Sequence, residues 1–309
     1  MKNMTATDAL HRFVFENTPV RGNLVNLTQT LQQALNKQHL PTGLRRSLGE
    51  LMAASALLAA TLKMKGALVL QIQSKGLLKL LVVECSSDSN ALLKIRATAK
   101  WSGDIQDSQN LFDLVDQAQF MITLDPKDGG QAYHGIVPLE GNSISAVLEN
   151  YMMRSEQIDT RIWLCCDGNS AAGMLIQKLP ETMNQLTKNH DNADHDLDTW
   201  NRVGHLASTI QDDELLNLPA ETILTRLFHE EDVRLFEASP TQFFCSCTHK
   251  SVSSMLRMLG NEELNSIIEE RGNIEVHCDF CNALYVFDKI DAAQLMADEP
   301  AVITSPNIH

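Results

Sequence analysis

Four of the chain's seven cysteines stand in two close pairs, Cys245-Ser246-Cys247 and Cys278-Asp279-Phe280-Cys281, roughly thirty residues apart. C-x-C and C-x-x-C put two thiolates on each of two short turns, and a folded segment between them can close the turns into a tetrahedron of sulfur. A d¹⁰ zinc ion in a structural site asks for that donor set. Zinc is therefore the expected cofactor, with Cys245, Cys247, Cys278 and Cys281 as its ligands. His249 and His277 lie near enough in sequence to substitute, but four sulfurs already fill the shell. The same spacing allows a second fate. Two residues of chain span at most about 7 Å and three at most about 11 Å, and a turn shortens both, so the partners within each motif fall in disulfide reach. Spacing alone leaves a structural staple and a redox switch both open.

Other chemistry is hard to assemble from this sequence. Gly43-Leu44-Arg45-Arg46-Ser47-Leu48-Gly49 has neither the spacing nor the ending of a nucleotide-binding loop. His229-Glu230-Glu231-Asp232-Val233 lacks the second histidine of a zinc protease helix, and Gly141-Asn142-Ser143-Ile144-Ser145 is one residue short of a nucleophile elbow. His134 and His205 stand alone. No enzyme is expected.

The elements that must hold the cysteines follow from patterning. The chain has 309 residues, 44% apolar and 21% charged, which suits two or more soluble domains. A net charge of −14 disfavours a nucleic-acid partner, since phosphate binding needs clustered Lys and Arg. The longest apolar run, Leu51 to Leu62, is too short for a bilayer, and the N-terminus lacks the apolar stretch of a secretory signal. An odd number of cysteines with metal-ligand spacing fits a reducing compartment, so a cytoplasmic protein with no membrane partner is expected.

Extended segments at 11–15 and 24–27 precede a helix capped by Thr28, and a second, broadly apolar helix begins by Gly43 and runs to Leu62. Period-2 patterning predicts strands over 67–73, 77–84, 92–99, 120–124 and 131–137. A helix capped by Ser143 follows, then a hairpin over 160–166 and 171–179. Adjacent strand residues face opposite ways, so Cys165 and Cys166, like Cys85, read as packing thiols.

The polar run 188–196 reads as an exposed connection. Short amphipathic helices over 200–210, 213–218 and 221–229 have apolar faces but no core of their own, so they must dock elsewhere and open at low free energy. Between the cysteine pairs, helices over 251–259 and from Asn261, then strands over 274–277 and 283–287, leave little core. Metal binding should supply much of that region's folding free energy. The fold class is α+β: an N-terminal sheet-and-helix domain over 1–180, a helical linker over 181–235, a small Cys₄ zinc domain over 236–290 and a tail over 291–309.

Laid out in order, the chain resembles the redox-regulated 33 kDa heat-shock chaperone (holdase) family of bacteria over nearly its whole length. The resemblance rests on His11-Arg12-Phe13-Val14-Phe15-Glu16-Asn17 with Val20-Arg21-Gly22, on Tyr151 with Arg154-Ser155-Glu156-Gln157-Ile158 and Thr160-Arg161, and on Ala172-Gly173-Met174-Leu175-Ile176-Gln177. Arg226-Leu227-Phe228-His229-Glu230-Glu231 and the two cysteine motifs complete it. Asp159 departs from the family's usual proline, and Thr248-His249-Lys250 from its Ser-Arg-Glu, the latter beside the thiolates.

The resemblance implies that zinc keeps the thiolates ready and the chaperone inactive. Oxidants would pair Cys245 with Cys247 and Cys278 with Cys281, zinc would leave, and the linker would undock. A homodimer would then hold unfolded or oxidatively damaged client proteins without ATP. Two other classes stay open: a zinc-stapled adaptor with a constitutive partner, and a thiol-disulfide oxidoreductase.

Overall fold

The computed structural model describes residues 8–61, 66–88, 91–126, 130–180 and 191–297. Leu62, residues 127–129, residues 181–190 and the residues from 298 lie outside the described residues. The chain divides into two compact units between Phe244 and Cys245.

The first unit opens with a hairpin of β1 (Ala9–Phe15) and β2 (Val20–Leu27). Helices α1 (Gln29–Leu35) and α2 (Thr42–Ala59) follow. Next comes the meander β3 (Gly66–Gln73), β4 (Leu78–Ser87) and β5 (Leu93–Trp101). A short α3 (Leu111–Leu114) leads to β6 (Gln119–Pro126) and β7 (Tyr133–Pro138). Then α4 (Ile144–Tyr151) runs into a π-helical turn and the hairpin β8 (Asp159–Cys166) and β9 (Ala171–Lys178). Three linker helices come next, α5 (Asp191–Ala207), α6 (Asp212–Asn217) and α7 (Ala220–Leu227), and two strands end the unit, β10 (Val233–Leu235) and β11 (Ser239–Phe243).

These strands form one mixed sheet in the order β7-β6-β3-β4-β5-β11-β1-β2-β9-β8, with β10 on β1. β11 joins the two halves. It runs parallel to β5, from Thr241 opposite Leu93 to Phe243 opposite Ile95, and antiparallel to β1.

Alternation along the strands sends side chains to two cores. Leu10, Val25, Ala171 and Leu175 join the cluster around α2, whose buried residues include Leu44, Leu48, Leu51 and Met52. Their neighbours Phe13, Phe15, Leu24, Ala172, Met174 and Ile176 join a second cluster with Trp200, Val203, Ile223, Leu224, Leu227 and Phe228 of the linker. Cys165 belongs to this second cluster and Cys166 packs on the first, as opposite-facing neighbours should. The linker is thus held by apolar burial, each large side chain contributing about 1.5–3 kcal/mol as an upper figure.

The second unit holds α8 (His249–Arg257), α9 (Asn261–Arg271), β12 (Ile274–His277), β13 (Leu284–Phe287) and α10 (Lys289–Ala297). β12 and β13 form an antiparallel pair. Among the described residues its core is eight buried side chains, from Val252 and Leu256 through Leu264, Ile268, Ile274 and Phe287 to Ala292 and Leu295.

Several local expectations differ. Thr28 occupies the N-cap of α1 but its side chain makes no capping bond. The buried Asp8 carboxylate does that work, accepting from the backbone N–H groups of Thr28, Gln29 and Thr30 at 2.9, 3.2 and 2.6 Å. Gly260, not Asn261, is the N-cap of α9. Residues 191–196 of the expected connection lie in α5, and part of the expected tail lies in α10. The units separate at Phe244 rather than at residue 236, because β11 is bound into the sheet by partners more than a hundred residues away.

Candidate metal centre

Each cysteine pair sits where the chain must turn. Cys245-Ser246-Cys247 follows β11 after the single residue Phe244, and Thr248 then starts α8 with a reciprocal cap. Thr248 Oγ1 accepts from the Ser251 N–H at 3.1 Å, and Ser251 Oγ accepts from the Thr248 N–H at 2.9 Å. That cap fixes where α8 begins, one residue after Cys247. The second pair lies between β12 and β13. The Cys278 N–H donates to Ala283 O at 3.0 Å and the Asn282 N–H to Cys278 O at 2.8 Å, with Asn282 left-handed at φ 55°. Asparagine tolerates that conformation better than most residues.

The two turns meet. All four ligand atoms, the sulfurs of Cys245, Cys247, Cys278 and Cys281, lie within 4.8 Å of one another. Cys245 Sγ is 3.7 Å from Cys278 Sγ, and Cys247 Sγ is 3.3 Å from Cys281 Sγ. A tetrahedron with metal–sulfur bonds of about 2.3 Å has edges of about 3.8 Å. The sulfurs fit a four-coordinate soft metal ion. Both of these contacts run across the two motifs.

His249 and His277 are not in the cluster. His249 packs on Phe287 at 4.4 Å between ring centroids, with Nδ1 3.4 Å from Ser253 Oγ. His277 is exposed on β12. Sequence reasoning missed Tyr285, whose hydroxyl donates to Cys247 Sγ at 3.1 Å. Its position on a strand four residues past Cys281 was the available signal.

The sulfurs are not alike. Burial pushes the Cys245 thiol up and Cys281 up to about 12. Burial also acts on Cys247, but hydrogen bonds from Tyr285 and from the other three cysteines outweigh it and bring the thiol down to about 7. The hydrogen bond to Cys247 in turn raises Tyr285 to about 12. Elsewhere burial leads: Cys85 and Cys165 rise to about 12 and Cys166 to about 11, which suits unreactive packing thiols.

Residues 8–288 match the family model described as Hsp33 protein. The chain belongs to the Hsp33 family. It is 58% identical to the 33 kDa chaperonin of Methylobacillus flagellatus over 297 residues, covering 96% of this chain and 97% of that one. It is 47% identical to the 33 kDa chaperonin of Chromobacterium violaceum, covering 95% of each. The crystal structure of the 33 kDa chaperonin (heat shock protein 33 homologue) of Thermotoga maritima superimposes with a TM-score of 0.77 at 20% identity. It covers 93% of this chain and 97% of that one, which establishes the shared fold.

Hsp33 membership and relatives named as chaperonins support a chaperone function. No helix among the described residues is long and apolar enough to cross a membrane.

Proposed function

We propose that the chain is an ATP-independent holdase of the cytoplasm, inactive while its four C-terminal cysteines are reduced and hold zinc, and switched on by oxidation. The observation that carries this reading is the meeting of two cysteine turns, sulfurs within 4.8 Å, in a unit with so small a core. When bound, zinc keeps the four sulfurs as thiolates and ties the turns together.

Thiolates are the form that peroxide attacks. A sulfur lone pair forms an S–O bond while the O–O bond breaks and hydroxide leaves, giving a sulfenic acid. The neighbouring thiolate attacks that sulfur, the S–S bond forms, and a second hydroxide leaves. Within each motif, Cys245 with Cys247 and Cys278 with Cys281, this closes two short loops and leaves the turns free of each other. Pairing across them, Cys245 with Cys278 and Cys247 with Cys281, would instead clip a long segment and hold the unit shut. A switch that opens needs the first pairing.

Loss of the second unit's fold would release the linker helices α5–α7 while β11 stays paired with β1 and β5. The linker's grip on the sheet is apolar burial, so undocking would expose Ile223, Leu224, Leu227 and Phe228 together with Phe13 and Phe15 beneath them. Such a surface suits unfolded or oxidatively damaged proteins and a second oxidised copy of the chain.

The test is light scattering of a heat-unfolding client, with zinc release and disulfide mapping in parallel. Suppression only after peroxide treatment, near stoichiometric, reversed by reductant and accompanied by within-motif disulfides, is expected. Equal suppression by reduced and oxidised protein sinks the switch and leaves a staple. Catalytic reduction of disulfides would make the chain an oxidoreductase.

A further inference from the structure

One side chain outside the cysteines is aimed at the sulfur cluster. Tyr285 lies opposite Val276 in the β12–β13 pair, and its hydroxyl donates to Cys247 Sγ at 3.1 Å. The ring is flanked by His249, with centroids 6.5 Å apart and planes at 62°, and His249 is backed by Phe287. The donors to two other sulfurs are main-chain groups, the Cys247 N–H toward Cys245 and the Ala283 N–H toward Cys281. Those come with the turns themselves. The Tyr285 bond is separable from them, since a ring without the hydroxyl would occupy the same space.

We propose that, where zinc already holds the sulfur as a thiolate, Tyr285 restrains the reactivity of Cys247, its hydroxyl holding a lone pair with which that sulfur would otherwise attack an oxidant. Hydrogen bonds from partners outside the ligand set tune metal-bound sulfur in this way. The inference rests on the redox reading of the four cysteines and deepens it, because it places a setting for the oxidation threshold in a named residue. In the step concerned, a Cys247 lone pair forms the S–O bond to peroxide as the O–O bond breaks and hydroxide departs. Tyr285 keeps its proton throughout and only releases the lone pair. His249, in the triplet that departs from the family pattern, lies beside this ring, with centroids 6.5 Å apart.

The test uses the full-length, zinc-loaded chain with iodoacetamide, which alkylates thiolate sulfur without an oxidant, and reads the rate at each cysteine by peptide mass spectrometry. Tyr285→Phe should raise alkylation of Cys247 roughly fivefold, the worth of one ordinary hydrogen bond, and leave the other three sulfurs unchanged. An unchanged Cys247 overturns the proposal. So does an equal rise at all four sulfurs, which would report a loosened unit.

If Tyr285→Phe fails to hold zinc, the chain's three tyrosines can be replaced with 3-fluorotyrosine. The stronger phenol donor should slow Cys247, and no change would overturn the proposal. Neither experiment involves a client. Failure of the aggregation assay with the unsubstituted chain would sink the chaperone switch while leaving the alkylation contrast standing.

Discussion

At the scale of single residues, two positions show how little room the docked linker leaves. Gly204 on α5 lies against the guanidinium of Arg161, and a Cβ there would overlap it. Arg161 in turn stacks on Trp200 at 5.1 Å from the ring centroid. Gly204→Ala should force Arg161 off that ring and cost about 1–3 kcal/mol of local stability. Amide exchange in α5 should then quicken while α2 stays protected, and unchanged exchange in α5 would mean Arg161 relocates freely.

Asp8 is the second position. Its carboxylate satisfies three N–H groups at the start of α1, and Asp8→Ala would orphan them in a buried setting. A loss of about 1–3 kcal/mol is expected, read as a lower denaturant midpoint with unchanged slope.

At the scale of elements, the seating of α6 carries a pH dependence. Glu50 of α2 is pushed up to about 7, by burial first and then by the charge of Asp212 at the start of α6. Cys165 and Cys166 share this neighbourhood, and the Cys165 thiol reaches Asp212 O at 3.7 Å. A carboxyl raised from its ordinary 4.5 stays protonated in the fold where the unfolded chain has already released the proton. Its contribution is whole below about 4.5 and is lost as pH rises through about 7. Glu50→Gln should therefore match the unsubstituted chain at low pH and exceed it above neutrality by on the order of 1–3 kcal/mol. Thermal melts across that window check this, and a constant difference between the two proteins would refute it.

The second unit makes a different prediction at the same scale. With eight buried side chains among its described residues and a sulfur cluster for ties, the unit should lose exchange protection in β12 and β13 when a strong chelator removes the metal. Persistence of that protection would mean the apolar core suffices alone.

At the scale of the molecule, the two units own separate cores. A chain ending at Phe244 keeps β11 in place, with Phe244 N–H bonded to Ile95 O at 3.1 Å. The sheet around α2 should stay protected from amide exchange, while α5–α7, without a folded second unit, should lose protection; protection there equal to that of the full chain would mean that the second unit's fold does not hold the linker. Ending it instead at Leu235 removes β11 and opens the sheet between β5 and β1, so its melting temperature should fall clearly below that of the longer chain. Equal melting temperatures would show that β11 is not the tie between the halves.

How much of this was written in the chain depends on the range of the interaction. The strands β3 to β9, the helix α2 and the cap at Ser143 follow from period, turn residues and a hydroxyl placed three residues before the N–H it accepts, Ala146. The cysteine pairs announce a metal site because two short spacings each constrain two sulfurs. The acidic start of α5 misled, since composition alone does not say that a polar run opens an amphipathic helix.

Other features had no local signal. The cap on α1 comes from Asp8, about twenty residues upstream of the N–H groups it accepts. β11 contains Pro240 and is a strand only because β1 and β5 accept it from either side. Tyr285 reads as an ordinary strand aromatic until the fold sets its hydroxyl against Cys247. By itself the sequence determined which residues could do chemistry and most of the elements that carry them, because periodicity and ligand spacing are short-range properties. Only the tertiary structure decided that the two motifs meet, that Tyr285 reaches Cys247 and how the sheet closes, because those are contacts between segments far apart in the chain.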